Sequence, residues 1–525
     1  MSKYSILIKN GKVIDGSGQA AITADVAVGK DKIKAIGNLK NSQAEKVIDA
    51  AGRFVVPGFI DLTNHSDTHW TLFSEPGQES LISQGITTIL GGNCGSSLAP
   101  LVKLENIEGI ERWIDISKIN INWQTMKEFL AELSNRKIGV NFASLAGHGT
   151  LRAGAVEIEK INFLFKNAVK EGAFGISFSL GAVNNRAVGD EEIIALHRLA
   201  GEYGVLVKHH LEDEGKNILP SLSRLAFFLH SLPENSRPRT QISHFKALGR
   251  MSWSFFPNAL GMIERLIKED YSLTIDFFPF LRTGSNLLMV LPGWAREIGT
   301  RTFLDELKNP EKRKNLINGL KDLTLHYDKI IVASTLRDTG SVGKSISKLA
   351  ETTGLSPEEV ILGLLEINNL QVVIFNEAIS EDNLFEIAKK DYSMLASDGV
   401  GYEISNLKSQ ISNRTNLPHP RSFGSFPKFL ELFVREKQIL SWEEAIHKMT
   451  AKPAQSLGLK DRGTIKKGVY ADLVVFNPET VGSFSDYQNP WVQAQGIDCV
   501  LINGRLALEN GKLTGVSAGK VLRKS

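Results

Sequence analysis

An α/β fold is what the sequence predicts: a (β/α)8 TIM barrel with a small β-sandwich domain built from both chain ends. Three observations predict it. Eight short apolar runs alternate with helical stretches through the middle of the chain. The two ends share another texture, strands punctuated by Asn-Gly pairs. The length, 525 residues, exceeds one ordinary domain and suits a barrel with a smaller partner.

Residues 1–57 read as β. Ile6 and Ile8 share one face of an alternating run, and Asn10-Gly11 reads as a hairpin turn. The runs ADVAVGKDKIKAIG and KVIDAAGRFVVPG follow without a helical period. Residues 58–454 carry the barrel. Its strands are expected in FIDLTNH, TTILGGNCG, NFASLAGHG, FGISFSL, VLVKHH, TQISHF, LTIDFFP and YSMLASDG. Two helices between them announce their starts. In SPEEVILGLLEI, Ser356 is the N-cap, Pro357 takes the first position and Glu359 completes a capping box; Ser441 and Glu444 repeat the device in SWEEAIHKMT. A doubly wound sheet is the rival fold, but no Gly-rich phosphate turn follows the first strand. The stretch 281–340 exceeds an ordinary βα loop and reads as a lid over the barrel mouth. Residues 455–525 return to β, with turns at Asn503-Gly504 and Asn510-Gly511, and are expected to complete the small domain.

Composition excludes several classes. Hydrophobic residues make up 42% and charged residues 23%, which supports a large core and argues against disorder. A net charge of +3 calls for neither nucleic acid nor an anionic membrane. Two cysteines, Cys94 and Cys499, are too few for a secreted disulfide scaffold. No leader-like segment and no apolar run near the roughly 18 residues of a membrane span is visible, so a cytoplasmic protein is expected.

In a barrel, chemistry sits where the strands end. Cys94 closes a strand among glycines, which allow close backbone approach; a lone buried cysteine is otherwise a small hydrophobe. His210 and His244 end two further strands, and His209 competes with His210 because only one of them faces the axis. One thiolate, two imidazoles and an open position are what catalytic zinc needs. Asp398, at the end of the last strand, is placed to take a proton from activated water and return it to a leaving amine. His197 and His447 sit on helical runs and read as surface or packing residues.

At these residues the chain resembles the D-aminoacylase (N-acyl-D-amino-acid deacylase) family of the amidohydrolase superfamily. Matching stretches include GNCGSSLAP, LAGHGTLR, HHLEDEG, ISHFKALG, TGSNLLMVLPGW, SDGVGYE, HPRSFGSFPKFLELFVRE and DRGTIKKGVYADLVVFNP. The resemblance implies one tightly bound Zn(2+) on Cys94, His210 and His244, with His65 a weaker ligand. It implies Asp398 as the acid/base, and Lys246, Arg421, Ser285 and His148 as groups around the substrate. The family's D-x-H-x-H after the first strand reads Asp61-Leu62-Thr63-Asn64-His65 here, so a second metal site is expected to be weak or absent; His69 is a remote substitute. Ala182 stands where the family has a tyrosine, Asn184-Asn185 replaces a Pro-Gly pair, and Phe278 replaces another tyrosine.

The expected function is zinc-dependent hydrolysis of N-acyl-D-amino acids, giving a carboxylate and a free D-amino acid. The partner is a small N-acyl amino acid, with no nucleic acid and no membrane; the oligomeric state is left open. The alternatives are a cyclic-amide hydrolase of the hydantoinase or dihydroorotase kind and a degenerate ligand-binding barrel. Basic residues near Arg282 and Arg296 hint at an acidic substrate side chain, with solvated surface charge as the plainer explanation.

Overall fold

The computed structural model describes residues 4–103, 107, 110, 113–114, 119–181, 188–296, 300–323, 325–404 and 416–524. Parallel strands covered on both faces need apolar side chains throughout rather than alternation, and Ile86–Gly91 is buried at every position. Eight such strands form the barrel: β1 (Phe59–Asp61), β2 (Ile86–Gly91), β3 (Asn141–Ser144, continued by Ala146–Gly147), β4 (Gly175–Ser179), β5 (Leu206–His210), β6 (Arg239–Ile242), β7 (Leu273–Phe277) and β8 (Ser393–Leu395). These are the eight runs singled out in the sequence. Each pairs in parallel with the next. The ring closes where the Asp398 N–H donates to the Thr63 carbonyl and the His65 N–H to the Gly399 carbonyl, each at 2.9 Å. All strand C-termini therefore open on one mouth. Outside, amphipathic helices cover the barrel; Phe256–Lys268 buries Phe256, Ala259, Leu260, Ile263 and Leu266 along one stripe.

A second sheet of nine strands draws on both chain ends. Leu473–Phe476 pairs antiparallel with Phe54–Pro57, which joins the two halves. Its core mixes Ile8, Val28 and Val55 with Leu473, Val475 and Leu501. Asn503-Gly504 and Asn510-Gly511 are turns, as read from sequence. Asn10-Gly11 is not: Tyr4–Val13 is one strand, and the pair forms a bulge against Ile22–Gly29. A left-handed residue serves a bulge as well as a turn. Gly11 is required by contact, since a Cβ there would lie 2.4 Å from a Val55 methyl.

Between β7 and β8 the chain builds a third unit. Strands Arg282–Asn286, Ile330–Thr335 and Val372–Glu377 form an antiparallel sheet, with its own core of Leu287, Phe303, Leu316, Val332, Ile361 and Ile374. It runs well past the 281–340 expected for a lid. The helix Pro357–Ile367 has its full capping box yet packs here rather than on the barrel. Capping and periodicity are local signals, blind to which sheet a helix covers. No helix among the described residues is long and apolar enough to cross a membrane.

Candidate metal centre and catalytic site

Cys94 is aimed by the glycine turn after β2. Gly92 has φ +71, and a Cβ there would lie 2.2 Å from the Leu145 carbonyl oxygen. The Gly92 N–H donates to Asp67 at 2.6 Å and the Gly95 N–H to Ser177 Oγ at 3.0 Å. His210 ends β5, and His244 lies just past β6. Cys94, His244 and Asp398 all have positive φ, at 51°, 36° and 51°. Such conformations cost roughly 1–3 kcal/mol each and persist where the surroundings fix them.

Cys94 Sγ lies 3.4 Å from His244 Nε2 and 3.5 Å from His210 Nδ1. All three donors fall within 4.8 Å of one another, the one such group among the described residues. For metal–sulfur and metal–nitrogen distances of about 2.3 and 2.05 Å, a tetrahedral edge is about 3.5 Å. The donor set and spacing therefore fit a zinc-type ion with a fourth position open. The other side of His244 is fixed from behind: Nδ1 lies 3.1 Å from Glu214 Oε1, the outer support that ligating histidines need. Burial pushes the Cys94 thiol up, but His244 and His210 outweigh it and hold it well below its usual value. Burial and Lys246 pull His244 down, yet Asp398, Glu214 and Cys94 raise it to about 10. Before any ion arrives the site thus pairs a thiolate with a charged His244 ring, and loading an ion releases a proton.

Asp398 sits beside this triangle. Its Oδ1 lies 3.0 Å from His65 Nε2, and its Oδ2 accepts from Arg421 Nη1 at 2.6 Å. Burial opposes its charge; Arg421, His244 and His65 hold its carboxyl well below the ordinary range. Arg421 Nη2 reaches the Gly284 carbonyl at 3.5 Å, while the buried Nε finds no acceptor. Ser285 follows on that same strand. The inserted unit thus forms the wall at Arg421. His419, unnoticed in the sequence, accepts the Arg421 N–H at 3.1 Å and donates to the Arg282 carbonyl at 3.0 Å.

Two residues expected near the substrate behave otherwise. Lys246 gives its ammonium to Glu214 at 2.7 Å and to the His244 carbonyl at 3.0 Å. Lys246 and Arg421 both approach the Phe278 ring, at 6.0 and 5.1 Å. His148 is fully buried away from the triangle, 2.6 Å from Glu192 and packed on Phe178. A histidine after a strand-end glycine does not reveal in sequence which side of the barrel it faces. His69 stacks on Trp113 and stays outside the donor triangle. Arg282 is held by Glu377, which also takes Lys329, and lies over Tyr487. Ala182 and Asn184-Asn185 lie outside the described residues.

Strand alternation sends Lys208 inward with His210 and His209 outward. Lys208 Nζ donates to the Leu62 carbonyl, to Thr63 Oγ1 at 2.6 Å and to Asp276 Oδ2 at 3.4 Å. Burial pulls its pKa down, against the negative charge of Asp276, Cys94 and Asp61. Behind β5, His209 lies 2.8 Å from His197, which is buried rather than superficial.

Comparison with known proteins adds the following. The Amidohydrolase family model matches residues 417–507. A D-aminoacylase of Alcaligenes xylosoxydans xylosoxydans is 28% identical over 533 residues, spanning 99% of this chain and 98% of that protein. The crystal structure of N-acyl-D-glutamate deacylase from Bordetella bronchiseptica, complexed with zinc and a phosphonate mimic of the tetrahedral intermediate, is 25% identical. It superposes with a TM-score of 0.80, covering 99% of this chain and 100% of that one. A D-aminoacylase structure described by a binuclear metal centre, with one-metal activation and second-metal attenuation, is 27% identical at TM-score 0.81, covering 99% and 100%.

Proposed function

We propose that this chain, which belongs to the D-aminoacylase family of the amidohydrolase superfamily, hydrolyses N-acyl-D-amino acids with one zinc ion held by Cys94, His210 and His244. The observation that carries this reading is the donor triangle, with edges of 3.4 and 3.5 Å, beside the Asp398–Arg421 pair. Relatives that span the whole chain are named for linear N-acyl amides, which favours that class over cyclic amides. Zinc bound there would polarise the scissile carbonyl and make hydroxide available near neutrality.

The residues do the rest. Asp398 accepts the proton of the attacking water on a carboxylate oxygen and delivers it to the departing nitrogen as the C–N bond breaks. The products are a carboxylate and a free D-amino acid. Arg421 offers a guanidinium with an unpartnered buried donor, suited to the substrate α-carboxylate. Because Arg421 also holds Asp398, a carboxylate that shares the guanidinium loosens that hold and makes Asp398 a better base. Ser285 follows Gly284 on its strand, and alternation turns its side chain away from Arg421, towards which position 284 points. Lys246 is better read as a positioning residue that keeps Glu214 ionised behind His244; burial opposes that charge, but Lys246 and His244 lower the Glu214 pKa to about 2. His65 orients Asp398.

The test is metal analysis of the purified chain with a panel of N-acetyl-D-amino acids, their L forms and hydantoins. Release of D-amino acids alone is expected. A zinc-loaded chain that turns over none of the panel points instead to a ligand-binding barrel.

A further inference from the structure

The floor of the barrel mouth holds a cation of its own. Where the family resemblance places an imidazole, Thr63 has too short a side chain to reach a metal at the mouth. Its hydroxyl is instead committed downward: Oγ1 donates to Asp276 Oδ2 at 2.8 Å and accepts from Lys208. Lys208 lies on the same inward row as His210, two residues apart along β5. An ammonium has three donors and no acceptor, and here three acceptors surround it: the Leu62 carbonyl, Thr63 Oγ1 and Asp276 Oδ2. Asp276 is equally engaged. Its Oδ2 also accepts from Gln241, and its Oδ1 from the His244 N–H at 2.6 Å. Lys208 and Asp276 are both fully buried. A buried charge pair with every partner in place is a finished structure, and removing one member strands the other.

We propose that Lys208, a resident cation bound to the Thr63 hydroxyl where the family resemblance places a metal-binding imidazole, disfavours a second ion, so that Thr63 and Lys208 together make this a one-ion centre. The inference rests on the three-donor reading above. A divalent ion entering beside Thr63 would meet a fixed ammonium with no imidazole at 63 to bind it, and like charges a few ångströms apart repel strongly in a buried site. The ammonium also supplies, without exchange, positive charge beneath the Cys94 thiolate.

The experiment titrates metal-free protein with zinc by equilibrium dialysis and counts ions per chain. Wild type is expected to stop at one ion under excess metal. A Thr63→His/Lys208→Thr variant is expected to rise to two, and adding His65→Ala should return it to one. A wild type that takes up a second ion, lost on His65→Ala, overturns the proposal. So does a double variant that folds, by circular dichroism, and still stops at one. If the double variant does not fold, the wild-type count decides alone. Failure of the underlying reading looks different: Cys94→Ala would then retain the first ion.

Discussion

Two clusters of histidines lie on either side of β5, and adjacent residues of that strand feed them. On the inner side His210 joins His244 and His65 around Cys94 and Asp398. These rings sit among negative groups; against the pull of burial, Asp398 and Cys94 raise His65 to about 9. On the outer side His209 joins His197 and His148 around Phe178, with ring centroids 4.9 to 5.3 Å apart. There burial lowers all three, His197 to about 4, and the imidazoles are neutral packing. The same side chain thus becomes a candidate ligand or a wall according to strand parity and the charge around it.

The contrast breaks most completely at the inner cluster. Cys94→Ala should lose the ion and with it turnover, as metal analysis and an assay of the same sample would show. Asp398→Asn should keep the ion and lose about 10²–10⁴ in kcat; near-normal turnover would remove it from the acid/base role. At the outer cluster the expected effects are smaller and purely structural. His209→Leu leaves His197 Nε2 without its partner and should cost about 1–3 kcal/mol in denaturant unfolding, with the ion count unchanged. A lost ion there would erase the distinction between the clusters.

The gentlest probe is pH. His197 is held at about 4 when folded and returns to the ordinary imidazole value of 6.5 when unfolded. Between those values the unfolded chain binds the extra proton. Its stability contribution is therefore intact above 6.5 and declines as pH falls towards 4, by about 1.4 kcal/mol per pH unit per histidine. Thermal melts of wild type against His197→Gln should show the slope reduced in the variant; identical slopes would mean that His197 does not titrate with unfolding.

Much of this arrangement was legible in the sequence, for local reasons. The eight barrel strands announce themselves as apolar runs ending in polar residues, and Cys94 stands out among glycines that only a tight turn requires. What escaped is non-local. Closure of the ring depends on Asp398 meeting Thr63, and Lys208 acquires its meaning from Thr63, separated by 145 positions. Glu214 reads as one acid among several until His244 is placed against it. The capped helix at Pro357–Ile367 was recognised, but its membership in the inserted unit rests on a core assembled from Leu287 to Ile374. His148 shows the converse: its motif is plain in the sequence, yet the side chain belongs to the outer face of the barrel.

The left-handed backbone at Cys94, His244 and Asp398 also changes what counts as a neutral control. Alanine removes the functional atoms at these sites but retains the Cβ that this conformation disfavours, whereas glycine removes both. Scanning with alanine therefore reports function lost on a scaffold still under tension, and scanning with glycine reports the same loss on a relaxed one. The difference in melting temperature between the two scans, corrected for the roughly 0.4–1 kcal/mol by which glycine loosens the unfolded chain, gauges how much folding free energy the protein forgoes to aim its reactive groups.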